Sequence, residues 1–463
     1  MSEARPPEPG VQLPSGDSAS TLLLRLLRTA AEGADGPLGR VRVPPSASAF
    51  KKRLAGAMVD FEQRRRASPD PAAHAAAVVD AAHAALGFTP DGGERRPLAE
   101  LAPSTPLEVE ASSTRVGRAG WTPELRHDGE SYAGERLVEL IHRLGRRFHL
   151  GTGAGTALHR ALTRLDRSGG ALDLSGERFA LLGAGAEIAP TRYLLEAGAT
   201  VLWCDVEPPP PALRETPGRL MHTRGRADLL TRPDQVAATV AELAADEGPV
   251  HLGLFAYGPG EGREWRLGAA MNAVARALPD GALSSVGFYV SPTTPAAPEA
   301  ADRAEAERRF AERPAWQRAL GAVGLLRPNR SAPDRPHLAD VVVPLQGVSY
   351  QATQYVEKVL AAEALRRTRP GLRVSSVVAP VTRTRSMSHP VFAAAFRGAR
   401  IFGVEAFPAE VTRTLAALLY VEDLLGEAPT DDTPRHFHGG LFTMPFSLES
   451  AIRVAAGVGG VKR

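Results

Sequence analysis

The sequence predicts an α/β fold, a doubly wound parallel sheet preceded by a mainly helical region. Three observations carry this. From Leu172 onward, apolar runs of strand length alternate with stretches of helical periodicity, the pattern of a parallel sheet covered on both faces. The first of those runs leads into a glycine turn, "FALLGAGAEIA" (Phe179 to Ala189). Before Leu172 the apolar residues recur mostly at helical spacing. The chain has 463 residues, enough for about two or three domains.

The elements follow in order. Residues 1–19 are rich in Pro, Gly, Ser and Glu and offer no core, so a disordered tail is expected. The helical region, 20–171, opens with "STLLLRLLRTAAEG", for which Ser20 is the expected N-cap. Two more helices are expected over Ser48 to Ala67 and Asp70 to Gly87. Phe88 to about Ser131 reads as loop or short strands. "YAGERLVELIHRLGRRFH" and "TALHRALTRLDRSG" give two further helices. The α/β part, 172–463, then runs strand, glycine turn, helix, strand through "ATVLWCD". "VHLGLFAYG" and "SSVGFYVSP" are strands, with a helix between them. A charged helical insertion is expected over 297–330. "ADVVVPLQG" is read as a strand, "SYQATQYVEK" as the helix after it, and "LRVSSVVAPV" as the next strand. A helical or lid segment occupies 390–463.

Composition excludes several function classes. Lys plus Arg number 55 and Asp plus Glu 52, a formal charge of +3, and the basic residues are scattered among acids. No nucleic-acid surface is expected. No run approaches the ~18 apolar residues of a membrane span, and the polar N-terminus is unlike a signal peptide. Cys204 is the one cysteine, so no internal disulfide forms. The expectation is a cytoplasmic protein acting on a small molecule, with homo-oligomerisation left open.

The glycine turn carries the most specific chemistry. In G-x-G, Gly183 permits a tight turn, and Gly185 lets backbone approach a pyrophosphate seated on a helix N-terminus. About twenty residues on, Asp205 ends the second strand, where a carboxylate accepts ribose hydroxyls and repels a 2′-phosphate. NAD is therefore the expected cofactor, with NADP left open. Ile188 stands where the third glycine of G-x-G-x-x-G is usual, which alters helix–strand packing more than charge. S-adenosylmethionine methyltransferases share a glycine-rich first turn and an acid after the second strand; a reversed final strand would mark them.

Past Asp205 the order of features resembles the short-chain dehydrogenase/reductase family of Rossmann-like proteins, over about Leu172 to Ser386. "GRADLL" places Asp228 where the family has an Asp bordering adenine. "LFAYGPGEG" follows the fourth strand, where the family runs a small-residue loop past the cofactor. Ser291 matches the substrate-orienting serine, and Tyr350 opens the next helix. Pro380, Thr382 and Thr384 would flank the nicotinamide end. The resemblance implies an oxidoreductase transferring hydride to or from a carbonyl, alcohol or enoyl substrate.

One position departs from it. Carbonyl reduction needs a proton donor beside the oxygen, and a Tyr phenol serves best when a nearby ammonium lowers its pKa. A lysine four residues after the tyrosine would share its helix face, but Gln354 stands there. Lys358 comes one turn later, about 80° around a regular helix from Tyr350. Tyr355 faces elsewhere. The catalytic set implied is Tyr350, Ser291 and Lys358. A degenerate nucleotide-binding or scaffold protein and a methyltransferase remain as alternatives. No metal site is expected: His436 and His438 lack an accompanying carboxylate or cysteine motif and read as a loop lining the active site. Arg383, Arg385 and His389 could hold an acidic group.

Overall fold

The apolar runs after Leu172 build a central sheet of parallel strands: β1 (Arg178–Leu182), β2 (Thr200–Cys204), β3 (Arg219–Thr223), β4 (Val250–Leu254), β5 (Leu283–Val290), β6 (Arg373–Val378) and β7 (Arg435–His436). The computed structural model describes residues 9–112, 117–167, 169–260, 262–329, 338–384, 390–426 and 434–461. The spatial order is β3-β2-β1-β4-β5-β6-β7, and Val109–Ala111 adds an antiparallel edge beside β3. Every residue of β4 is buried, as are four of the five in β1 and β2. Continuous apolar strands of this kind require cover on both faces. The chain thus has the Rossmann-like α/β class that its pattern predicts. The strand order reverses between β1 and β4, which opens a crevice beyond the carboxyl ends of the strands. β7 runs parallel to β6, with Val377 opposite Arg435. Among the described residues no reversed last strand, as in a methyltransferase, is found.

Two apolar cores flank the sheet. On one face lie the helices Pro233–Glu247, Arg263–Ala277 and the long helix from Gly347 to Thr368. The early helices Ala19–Glu32, Leu54–Arg66 and Pro71–Ala85 cover these from outside. On the other face, Gly134–Arg146 and Thr152–Arg167 pack with Ala409–Leu425. The helical first part of the chain is therefore divided between the two faces.

Several local expectations are corrected. Residues 9–18 are ordered, because Gly10–Gln12 pairs antiparallel with Gly87–Thr89; residues 1–8 lie outside the described residues. The first helix begins two residues early, capped by the Ser18 side chain, which accepts from the Thr21 N–H. The helix expected over Ser48 to Ala67 breaks at Arg53 (φ −116°, ψ 17°). Nothing in the local sequence explains that break. The run "ADVVVPLQG" is no strand. β5 and β6 are direct neighbours, so the sheet has no place between them. Val341 to Val343 are buried as irregular chain, ended by a 3-10 turn at Pro344–Gln346.

Candidate active site

The turn after β1 is built by close packing. Gly183 has φ +84°, and a Cβ there would run into the backbone of Ala256 after β4. Only glycine meets both demands. Asp205 closes the turn from β2: its Oδ2 accepts the Gly185 N–H at 2.9 Å, and its Oδ1 accepts the Val206 N–H at 2.7 Å. The helix expected to leave Gly185 directly starts only at Thr191, behind Pro190, and spans six residues, Thr191–Glu196. Proline has no N–H to offer there, so the phosphate-facing helix terminus expected of this turn is missing. Ile188 lines the cavity described below. Asp228 turns inward, its Oδ1 accepting the Leu230 N–H at 2.9 Å, and caps a tight turn.

Beyond β5 the chain gathers a polar cluster. Ser291 Oγ lies 2.8 Å from Thr293 Oγ1, which donates to Gln346 Oε1 at 2.7 Å. Gln351 Nε2 joins through the Thr293 carbonyl and Gln346 Oε1, both at 3.1 Å. Tyr350 is half-buried. Burial pushes its phenol up to about 12, against the opposing pull of hydrogen bonds with Ser291 and Thr293. Gln354 is committed elsewhere: its Oε1 accepts the Ser291 backbone N–H at 2.9 Å. It ties the helix to the end of β5 and has no part in proton chemistry.

Lys358 is brought to the same place by an irregularity. After Gly347–Gln354 the helix widens into a π-turn, Tyr355–Leu360, before resuming as Ala361–Thr368. A π-turn closes i to i+5 bonds, so each residue turns the chain by roughly 80° rather than 100°. Four regular steps and four widened ones return Lys358 to within about 20° of the Tyr350 direction, against about 80° on a regular helix. The regular-helix expectation is thereby corrected, and both side chains line one cavity. The Lys358 residue keeps some accessible surface, but its ammonium is enclosed by protein. Burial lowers it to about 8, and Nζ donates to the Tyr289 carbonyl at 2.7 Å.

The π-turn is gripped by buried polar contacts. Glu357 accepts from Trp265 Nε1 at 2.9 Å and Asn272 Nδ2 at 2.8 Å, and meets His83 Nε2 at 3.1 Å. The Asn272 amide also donates to the Glu357 main-chain carbonyl at 2.7 Å. Tyr355 donates to Glu62 Oε2 at 2.6 Å. Arg65, fully buried, forks onto Glu62 and reaches Glu363 at 2.7 Å. Burial pushes the Glu62 carboxyl up, but the charges and hydrogen bonds of Arg65 outweigh this and hold it low. Glu357 and Glu363 thus serve these networks and leave Lys358 unpaired with either.

Tyr350, Ser291 and Lys358 share a cavity of about 580 Å³ with Ile188, Pro380, Thr382 and Thr384. Thr382 Oγ1 is held by the Pro380 carbonyl at 3.0 Å and Thr412 Oγ1 at 2.9 Å. The far wall is apolar. It comes from Pro390–Ala399 and Leu448–Val461, through Phe392, Phe396, Leu448 and Ile452. These helices touch backbone to backbone: a Cβ on Gly398 would strike Ala455, and one on Gly459 would strike Ala394. The small residues at spacing four in each helix were the available sequence signal for this wall. The Thr293–Gln346–Gln351 network had none. Of the C-terminal loop, Leu441 and Met444 reach the cavity. Both histidines turn away, correcting the expectation for them. Burial pushes His436 down to about 3, and His438 Nε2 faces Asp302 at 3.3 Å. Arg383 is exposed on a short strand pairing with Phe407–Pro408. Arg385 and His389 lie outside the described residues.

No protein-family description matches the chain, and no curated protein is similar to it. Among solved structures it is similar to a short-chain dehydrogenase/reductase, glucose/ribitol dehydrogenase, from Brucella melitensis. The identity is 13% and the TM-score 0.35, over 58% of this chain and 98% of that one. At that score the likeness is distant.

Proposed function

We propose that the chain is an NAD(P)-dependent oxidoreductase with an atypical active site, acting on a lipophilic carbonyl or its alcohol. The observation that carries this is the convergence of Ser291, Tyr350 and Lys358 in one cavity beside the turn after β1. The residues fit a dinucleotide at two points. Asp205, oriented by the N–H groups it accepts, presents a carboxylate suited to ribose hydroxyls. At the other end, the Tyr289 hydroxyl is buried on the cavity wall without a hydrogen-bond partner among the described residues. The fit is poorer for the pyrophosphate, which finds Pro190 at the helix start and the Glu187 carboxylate nearby. A bound nicotinamide would supply the hydride. Ser291 and Thr293 orient the Tyr350 hydroxyl, which holds the proton for a substrate oxygen. Lys358, its Nζ held by the Tyr289 carbonyl, is the cation on the wall of the same cavity.

Calorimetric titration with NADH and NADPH, followed by turnover across carbonyl substrates of increasing apolar size, tests this reading. Saturable NADH binding with turnover is expected. No binding of either nucleotide at millimolar concentration removes the proposal. A second reading, a nucleotide-binding protein without turnover, draws on the Tyr350 phenol being pushed up to about 12 and on Lys358 being bonded to a carbonyl. Stoichiometric binding with no turnover of any carbonyl would favour it. The reversed final strand that would favour a methyltransferase has no support in β7, which pairs parallel with β6.

A further inference from the structure

Behind the cavity wall, Glu405 lies between Val404 and Ala406, both of which line the cavity. Its carboxylate is buried, with 6% of the residue accessible, and each oxygen meets an imidazole. His127 Nε2 stands 3.7 Å from Oε1 and His149 Nδ1 stands 3.7 Å from Oε2. Both histidines are more than nine-tenths buried. Asp128 places Oδ2 3.6 Å from His127 Nε2 at the exposed rim. The ligand atoms of His127, Asp128 and Glu405 all lie within 4.8 Å of one another. We propose that His127, His149 and Glu405, with Asp128 at the rim, bind a divalent transition-metal ion of the zinc class.

At 3.7 Å neither imidazole is within hydrogen-bonding distance of the carboxylate, and His149 Nδ1 is buried with no hydrogen-bond partner among the described residues. The Gly403 carbonyl acts on the His149 ring as a backbone hydrogen-bond acceptor, the second contact that orients a metal-ligating imidazole. Around a tetrahedral ion with bonds of about 2.0–2.1 Å, neighbouring ligand atoms lie roughly 3.3–3.5 Å apart. The His127–Asp128, His127–Glu405 and His149–Glu405 spacings of 3.6–3.7 Å are within a few tenths of an ångström of these values; His149 stands outside the tighter group of His127, Asp128 and Glu405 and has to swing in from its Glu405 contact. Two nitrogen ligands and carboxylates select zinc-class ions over magnesium or calcium, which take oxygen. The competing cation is Arg400, whose Nη2 lies 3.2 Å from Glu405 Oε1 and 3.6 Å from Asp128 Oδ1. Its side chain is two-thirds exposed and is free to swing outward. His438, Arg147 and Arg309 also act on His149 as like charges, so the ion must outcompete three guanidinium groups and the His438 imidazole.

An ion there would tie together the hairpin strand Glu124–His127, the segment after Gly134–Arg146, and the chain entering Phe407–Pro408. It would fix the wall that Val404 and Ala406 present to the cavity. The test uses the full chain, stripped with a chelator and titrated with Zn²⁺ or Co²⁺. Bound metal is counted by mass spectrometry after desalting, and Co²⁺ geometry is read from its visible absorption. One equivalent is expected, with a tetrahedral Co²⁺ spectrum. The affinity should fall about tenfold or more in His149→Ala and His127→Ala, and hold or rise in Arg400→Ala. His149→Gln, nearly the same size, serves if an alanine variant fails to fold. Absence of stoichiometric Zn²⁺ at micromolar concentration overturns the proposal. So does binding that the His149 and His127 variants leave unchanged.

Discussion

Replacing Lys358 by Met separates the cost of this lysine from its use. In the folded chain its ammonium titrates near 8, against 10.5 for a free side chain, because burial disfavours the charge. At about 1.4 kcal/mol per tenfold, a charged Lys358 costs the fold up to about 3 kcal/mol at neutral pH. The sign follows from proton counting. Between about 8 and 10.5 the unfolded chain binds the proton and the folded chain does not, so stability rises with pH across that window. Below it the full penalty applies; above it none does. Met fills similar space without the charge, but abandons the Tyr289 carbonyl that Nζ serves at 2.7 Å, at a cost of about 1 kcal/mol. The variant should therefore be more stable than the parent by about 2 kcal/mol at pH 7 and less stable by about 1 kcal/mol above pH 10.5. Urea midpoints of both proteins at several pH values in this range measure the difference, which cancels the other lysines and tyrosines. A difference that stays constant from pH 7 to pH 10.5 would refute the reasoning. Carbonyl turnover should be lost throughout.

Tyr350→Phe should leave NADH binding intact and lower kcat by about 10²- to 10⁴-fold, measured by steady-state kinetics and calorimetry on the same preparation. Gln354→Lys, which restores the familiar spacing, should not raise turnover. It removes the acceptor of the Ser291 N–H and should cost about 1–3 kcal/mol, read as a lowered urea midpoint. Tyr355→Phe deletes the bond to Glu62 in a fully buried site and should cost about 1.5–3 kcal/mol. It should also disturb the pH profile of kcat, because Tyr355 holds the turn that aims Lys358.

How much of this was legible depended on the range of the interactions. β1, Gly183 and Asp205 announce themselves within about thirty residues, since a strand, a left-handed turn and a strand-end carboxylate each leave a local mark. The late helix start was legible too: Pro190 stands where an N–H is needed. The run Val341 to Val343 misled because buried irregular chain is as apolar as a buried strand. Only pairing separates the two, and β5 and β6 pair with each other. The π-turn was invisible for a different reason. Nothing in "YVEKVL" disfavours a regular helix, and what favours the wide turn comes from Glu62 and His83, 293 and 274 residues away. His127, His149 and Glu405 share no motif spacing either, since the fold alone brings them together.

The costs on the tyrosine helix fall on a few consecutive residues. Gln354 and Glu357 are polar and buried, Tyr355 puts its hydroxyl beside a buried carboxylate, and Lys358 holds an ammonium where burial disfavours it. A helix that served only as packing would be more stable as a regular α-helix with an apolar residue at 358. Instead, Glu62, Arg65 and His83 from the early helices, with Trp265 and Asn272 from the neighbouring one, are spent on holding the irregular turn. Unfavourable local structure of this kind persists only where its surroundings over-determine it, and it clusters at functional sites. The turn changes one thing of chemical consequence, the direction of Lys358, which it brings round to the cavity that Tyr350 also lines. This gives the N-terminal helices a role. They are the outer half of a clamp whose inner half carries the proposed proton donor and its cation, so turnover should depend on residues that never approach the cavity.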